Sequence, residues 1–195
     1  NEDGNLDFVT VNPQDSSVYI ALAKSGGAFS PSKTISLGIG AYPISSAAAD
    51  VDGDGHQDLI VVNNHAHHLA VLLGDGRGSF DEPKFVFTGG GVYPVNVAVG
   101  DFNSDTIPDF VVTYLGWDFV QVMFGLGDGQ AANSTRFRLG FLVHKQPINV
   151  GDFNGDGHRD IGFGTDGQNV MALVGDGHGR FDLQRIFSSG AAVQN

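Results

Sequence analysis

An all-β fold of repeated four-stranded antiparallel sheets is predicted by three observations on this 195-residue sequence. The first is an acidic loop that recurs as DVDGDGHQD at 50–58, DFNSDTIPD at 101–109 and DFNGDGHRD at 152–160. The chain opens on NEDGNLD, the same pattern without its first two positions, so the last carboxylates, Asp7, Asp58, Asp109 and Asp160, fall 51 residues apart. The second is a glycine-rich turn closed by phenylalanine: KSGGAF to Phe29, GDGRGSF to Phe80 and GDGHGRF to Phe181. The third copy, GLGDGQAANSTRF to Phe137, reads as carrying an insertion that a shortening before Asp152 compensates. The third observation is a set of strand-length β-branched and aromatic runs between these landmarks, with no amphipathic stretch at a helical period.

Taken in order, each repeat is expected to hold four strands. An innermost strand rich in small residues leads into the loop, as in Ser45–Ala49 and Val95–Gly100, which suits a crowded axis. After the loop comes a continuous apolar run: Phe8–Val11, Leu59–Val62, Phe110–Val112 and IGFG from Ile161. Continuous rather than alternating apolarity implies burial on both faces of the sheet. Then follow SVYIALA, HLAVLLG, FVQVMFG and NVMALVG, the glycine turn, and an outer strand such as KFVFTG or FRLGFLV. Four strands per roughly 50 residues with both faces covered describe a blade of a β-propeller. The repeat units are expected near 1–40, 41–91, 92–144 and 145–195, about four blades in one propeller domain or propeller fragment. The first repeat lacks an innermost strand. Further blades, from the same chain or another, are therefore expected to complete the ring, because an open stack leaves strand edges and an apolar face in water.

Composition narrows the function. Lys+Arg 10 against Asp+Glu 22 gives a net charge of -12, which repels a phosphate backbone and excludes nucleic acid as a partner. Without cysteine there is no disulfide framework and no thiolate metal site. No apolar run approaches the roughly 18 residues of a membrane span, so membrane insertion is not expected.

The acidic loops point to a hard cation. Calcium takes six to eight oxygen ligands, and alternating residues on a tightly curved loop aim successive oxygens at one point. The expected sets are Asp50, Asp52, Asp54 and Asp58 with the carbonyl of His56; Asp101, Asn103, Asp105 and Asp109 with the carbonyl of Ile107; and Asp152, Asn154, Asp156 and Asp160 with the carbonyl of His158. The opening fragment offers Asn1, Asp3 and Asp7. Gly55 and Gly157 supply the sharp turn, whereas Thr106 and Pro108 predict a weaker or differently shaped second site. An EF-hand is excluded, since position 12 is Val61, Val112 or Phe163 inside a strand rather than a bidentate glutamate before a helix. With all coordination supplied by protein, the cation's work is structural. The calcium affinity of extracellular modules, near 10⁻⁴ to 10⁻³ M, suits a secreted protein.

The pairing of DxDxDGxxD or DxNxDGxxD loops with an apolar strand and a GDGxGxF turn resembles the FG-GAP repeats of integrin α-chain propellers and the related VCBS repeats of secreted bacterial and fungal proteins. The resemblance covers almost the whole chain. It implies a calcium-stabilised propeller, usually seven-bladed, in an extracellular adhesion, lectin-like or enzyme-associated protein.

In an up-and-down blade the acidic loops and glycine turns share one face, and the remaining connections gather on the opposite one. That face is expected to collect Asn63, Asn64, His65, His67 and His68 from one blade and Tyr114, Trp117 and Asp118 from the next, with Tyr42, Tyr93, His144, Asp166, Gln168 and Asn169 nearby. Trp117, Tyr114, Tyr93, His65 and His67 are the candidate ligand contacts, and Trp117 is placed in a connection rather than a strand. HAHH at 65–68 reads as a solvated hairpin turn, with transition-metal binding by imidazole as the alternative. No GxSxG, HExxH or cysteine nucleophile is present. The expected function is a secreted calcium-binding module recognising carbohydrate or an extracellular protein, as in cell adhesion, rather than an enzyme. The alternatives are the propeller of a carbohydrate-active lyase or hydratase, and a purely structural adhesin repeat.

Overall fold

A computed structural model describes residues 1–143, 147–164 and 169–188 of the chain. His144, Asp166 and Gln168 lie outside the described residues, as does the side chain of Asn169. The described residues form fifteen strands in four antiparallel sheets, with no helix.

The first sheet has three strands, β1 (Phe8–Asn12), β2 (Ser17–Ala21) and β3 (Lys33–Ser36). The second runs β4 (Pro43–Ala49), β5 (Asp58–Asn63), β6 (His68–Leu72) and β7 (Lys84–Phe87). The third runs β8 (Pro94–Gly100), β9 (Asp109–Tyr114), β10 (Trp117–Gly125) and β11 (Ala131–Val143). The fourth runs β12 (Ile148–Gly151), β13 (Asp160–Gly164), β14 (Asn169–Gly175) and β15 (Phe181–Ser188). Every sheet is ordered by sequence, so each is a meander of the blade type, and β4 lies beside β1 and β8, with β8 beside β12.

Burial follows the apolar pattern. All of β5, β6 and β9 is buried, as four of the five residues of β13 are. Packing between the second and third sheets is carried by Ile60, Val62, Leu69, Val71, Phe110 and Val112. β1 holds the register position of β5; among the described residues its pairing partner is β2 alone, and its residues alternate in exposure. Where a flanking strand and a covering sheet are both present, continuous apolarity is buried; where one is missing, the same kind of run is half exposed.

Two expectations are corrected. Phe137 does not close the third glycine turn after an insertion. Ala131 stands opposite Gly125 there, in the place that Phe29, Phe80 and Phe181 take opposite Ala23, Gly74 and Gly175. The turn keeps its length, and the extra residues lengthen β11, on which Phe137 pairs with Val120. The Phe137 ring meets Phe181 of the next sheet edge-on at 5.1 Å. Trp117 is likewise not in a connection but is the first residue of β10, where it stands opposite Val143 of β11.

Candidate functional site

The acidic loops are built on the aspartate that opens each one. Asp50 accepts from the amides of Gly53 (2.7 Å) and Gly55 (2.9 Å), and Asp152 from those of Gly155 (2.6 Å) and Gly157 (2.9 Å). Asp54 and Asp156 then accept from the amides of His56 and His158, both at 2.8 Å. The second loop repeats the plan: Asp101 accepts from Thr106 at 2.9 Å and Asp105 from Ile107 at 2.8 Å. Of the two outcomes expected for this loop from Thr106 and Pro108, a weaker or a differently shaped site, the second is corrected, because the carboxylates keep their amide partners. Thr106 takes φ 72° and Ser104 φ 59°, the left-handed conformations that glycine takes at the matching positions of the other loops. A β-branched residue is strained there. Thr106→Gly is expected to raise stability by on the order of 1 kcal/mol, the relieved strain exceeding glycine's extra unfolded-state entropy. In a thermal melt that is a gain of roughly 3 °C.

The aspartates that close the loops, Asp58, Asp109 and Asp160, are completely buried. Each carboxylate spans two backbone amides: Val51 and Gly74 for Asp58, Phe102 and Gly125 for Asp109, Phe153 and Gly175 for Asp160, at 2.8–2.9 Å. Asp7 accepts from Ala23 at 2.8 Å in the same sense. The acidic loop is thus tied to the glycine turn of its own sheet. Steric fit tightens the tie, since a Cβ on Gly74, Gly125 or Gly175 would overlap the carbonyl oxygen of Gln57, Pro108 or Arg159. The last glycine of each turn meets the neighbouring sheet instead: Gly78 lies against Leu22, Gly129 against Leu73 and Gly179 against Phe124. Lysines extend the contact, with Lys33 Nζ donating to the Gly78 carbonyl (2.8 Å) and Lys84 Nζ to that of Asp128 (2.6 Å).

Burial above all holds the Asp109 carboxyl up at about 6, against the pull of its two amide hydrogen bonds and with a smaller push from the carboxylates of Asp105 and Asp101. Asp58 is raised for the same first reason. These anions are costly as they stand, each buried beside other carboxylates and, among the described residues, with no cationic side chain bound to it. Among the described residues, Asp50, Asp52 and Asp58 each offer an oxygen within 4.8 Å of the others. In the opening fragment, Asp3 accepts from the Asn5 amide (2.9 Å), and Glu2 reaches His56 Nδ1 of the next loop at 2.9 Å.

On the opposite face the structure separates the expected ligand contacts into two groups. Tyr42, His65, His67 and Tyr93 come together: the Tyr42 and His65 rings stack at 4.2 Å, and Tyr93 meets His67 at 5.0 Å and His65 edge-on at 6.4 Å. Trp117 belongs elsewhere, packed on Phe119 at 5.6 Å, and Asp118 pairs with Arg138 at 3.1 Å. Tyr114 is a correction: it is 0% exposed, its hydroxyl donates to Gln121 at 2.9 Å, and it is a core residue of β9. His68 is also buried, between the rings of Phe85 and Phe87, so the 65–68 segment is not a wholly solvated turn. Burial lowers its basicity.

Sequential blade-like meanders, each locked by an acidic loop to a glycine turn, define an all-β repeat protein of the FG-GAP type. The chain belongs to the FG-GAP-like repeat family, whose model matches residues 1–61 and 50–112. Among curated proteins none matches. Of solved structures, it is similar to an Agrocybe aegerita lectin described by its specific recognition of non-reducing terminal N-acetylglucosamine. That likeness has 25% identity and a TM-score of 0.69, over 96% of this chain and 50% of the lectin. It is also similar to BBS1N in its complex with ARL6DN, at 12% identity and a TM-score of 0.53, over 94% of this chain and 56% of that one, a likeness of fold alone. The chain spans about half the length of these structures.

Proposed function

We propose that the chain is a calcium-stabilised portion of a β-propeller that recognises carbohydrate outside the cell. The observation that carries the calcium reading is the recurrence of a buried, amide-clamped aspartate beside exposed carboxylates in three loops. The residues fit the ion. Each loop supplies hard oxygen donors at alternating positions, and an oxygen already accepting one amide retains a second lone pair. Asp50, Asp52, Asp54 and Asp58 would hold one ion, Asp101, Asn103, Asp105 and Asp109 a second, and Asp152, Asn154, Asp156 and Asp160 a third. Bound there, the ion supplies charge compensation and a fixed loop shape. The carbohydrate reading is supported by the likeness to a lectin and by the exposed aromatic groups of the opposite face. Additional blades would cover the face of the fourth sheet where Phe153, Val170 and Met171 line a hollow.

Calcium binding should depend on pH with a definite sign. The folded chain without metal holds the Asp109 proton more tightly than the unfolded chain, whose aspartates titrate near about 3.9. Asp109 thus contributes stability that is full below about pH 4 and is lost as pH rises through about 6. Calcium must displace that proton, so the affinity of the 101–109 loop should weaken as pH falls through about 6. Calorimetric titration at pH 7.5 and pH 5 checks this. An affinity unchanged or stronger at the acid pH would count against Asp109 as a ligand.

A further inference from the structure

The ring cluster formed by Tyr42, His65, His67 and Tyr93 is held in place by backbone contacts from three segments. The turn between β5 and β6 is seated between the entries to β4 and β8: the Asn64 amide donates to the Tyr42 carbonyl at 3.1 Å, and the Asn64 side chain donates to the Pro94 carbonyl at 2.8 Å. The His67 ring is bound to the Val92 carbonyl, and Thr88 donates to the His67 carbonyl at 2.9 Å. Tyr93 is fixed in its turn, its carbonyl accepting from the Leu115 amide at 2.9 Å.

Two of the four rings stand on strained backbone. Tyr42 has φ 53° and His67 φ 55°, a region that bulky residues rarely adopt and that is retained where the surroundings, or a function, require it. Despite this rigid seating the cluster is not core. Tyr42 is 36% and Tyr93 46% exposed, and His65 is exposed between them. Tyr42 also lines a hollow of about 420 Å³, whose other walls are Val11 and Pro13 of the first sheet, Ile44 of the second, and Val95 and Asn96 of the third. That volume falls in the range of small-ligand sites, which combine apolar and aromatic walls with a few polar groups.

We infer that the Tyr42–His65–Tyr93 wall and the hollow beside Tyr42 form the seat for a terminal pyranose ring of a glycan. The inference rests on the carbohydrate reading above and assigns it a place. A pyranose has one face of C–H groups, which packs on an aromatic ring, and an equator of hydroxyls, which need donors and acceptors. Here tyrosine and imidazole rings give the first, while the Tyr42 and Tyr93 hydroxyls and the His65 ring nitrogens give the second. Rings pre-set by backbone hydrogen bonds lose little freedom when a ligand arrives, which is how a shallow site gains affinity. Trp117 is not part of this seat, its ring lying on Phe119 of the third sheet.

The test uses the full chain in calcium on an array of immobilised glycans that includes terminal N-acetylglucosamine, with His65→Ala, Tyr93→Ala and Trp117→Ala beside the unmodified protein. His65 is exposed, so His65→Ala keeps the test informative even where Tyr93→Ala perturbs the turn; melting curves verify folding. The expected result is glycan binding by the unmodified protein, a loss on the order of tenfold or more in His65→Ala and Tyr93→Ala, and retention in Trp117→Ala. Binding that survives in His65→Ala and Tyr93→Ala overturns the assignment of this seat while leaving the carbohydrate reading intact. Failure of the unmodified protein to bind any glycan overturns the carbohydrate reading itself.

Discussion

Replacing Gly125 with alanine should destabilise the chain by on the order of 3 kcal/mol or more, the upper part of the range for overpacking a rigid interior. The reason lies in what the residue touches. Its amide donates to the buried Asp109 carboxylate at 2.9 Å, and an added Cβ would overlap the Pro108 carbonyl oxygen. Relief requires moving either the acidic loop or the glycine turn, and both are fixed by that same carboxylate. Movement also strands a buried amide, at a cost of about 1–3 kcal/mol. Gly90 provides the control, since it has an ordinary φ and open space around its Cβ position. Gly90→Ala should leave the urea midpoint nearly unchanged or slightly raised. Equal midpoints for Gly125→Ala and Gly90→Ala would show that the interlock between loop and turn contributes little.

Removing calcium should have a still larger effect. For a site with a dissociation constant near 10⁻⁴ M, about 10 mM calcium stabilises the folded chain by about 2.7 kcal/mol. Two or three such loops together contribute roughly 5–8 kcal/mol, comparable with the whole stability of an ordinary domain. The physical source is the cost of the metal-free state: Asp58 and Asp109 are buried and pushed toward the neutral acid by desolvation and by the carboxylates around them. A melt in EGTA should therefore fall below one in calcium by on the order of 10 °C or more. Magnesium should substitute poorly, because it demands near-ideal octahedral geometry at short distances and gives up its waters reluctantly, whereas calcium accepts six to eight oxygens in a flexible arrangement. Coincident melts in calcium and EGTA would remove the structural role assigned to the loops.

The repeat made the fold legible. A period of 51 residues located loops, turns and strands, and alignment of the copies gave the first sheet the three strands that it has among the described residues. Period alone does not reveal which groups a position touches. Asp58, Asp109 and Asp160 read as ligands like the other loop aspartates, and their clamping of two amides each became visible only when the glycine turn was folded against the loop. The role of Gly74, Gly125 and Gly175 was hidden for the same reason, since close approach to a carbonyl leaves no periodic trace. Tyr114 was misread because it occupies the register of Asn63 at a strand end, where a polar hydroxyl suggests solvent; its partner, Gln121, comes from the next strand. Phe137 was misread because phenylalanine was taken as the landmark where alanine holds the position. The aromatic wall was legible in part: Tyr42 and Tyr93 share a register 51 residues apart, but stacking on His65 depends on a turn conformation that composition does not specify.

The structural role proposed for the acidic loops requires cations held in them, and a count of bound ions decides it. Equilibrium dialysis against calcium at neutral pH, read by atomic emission, should find about three ions per chain, one for each complete loop. Combining Asp50→Ala with Asp54→Ala should lower the count by about one. No calcium retained above the dialysis buffer, or a count indifferent to those substitutions, would contradict it.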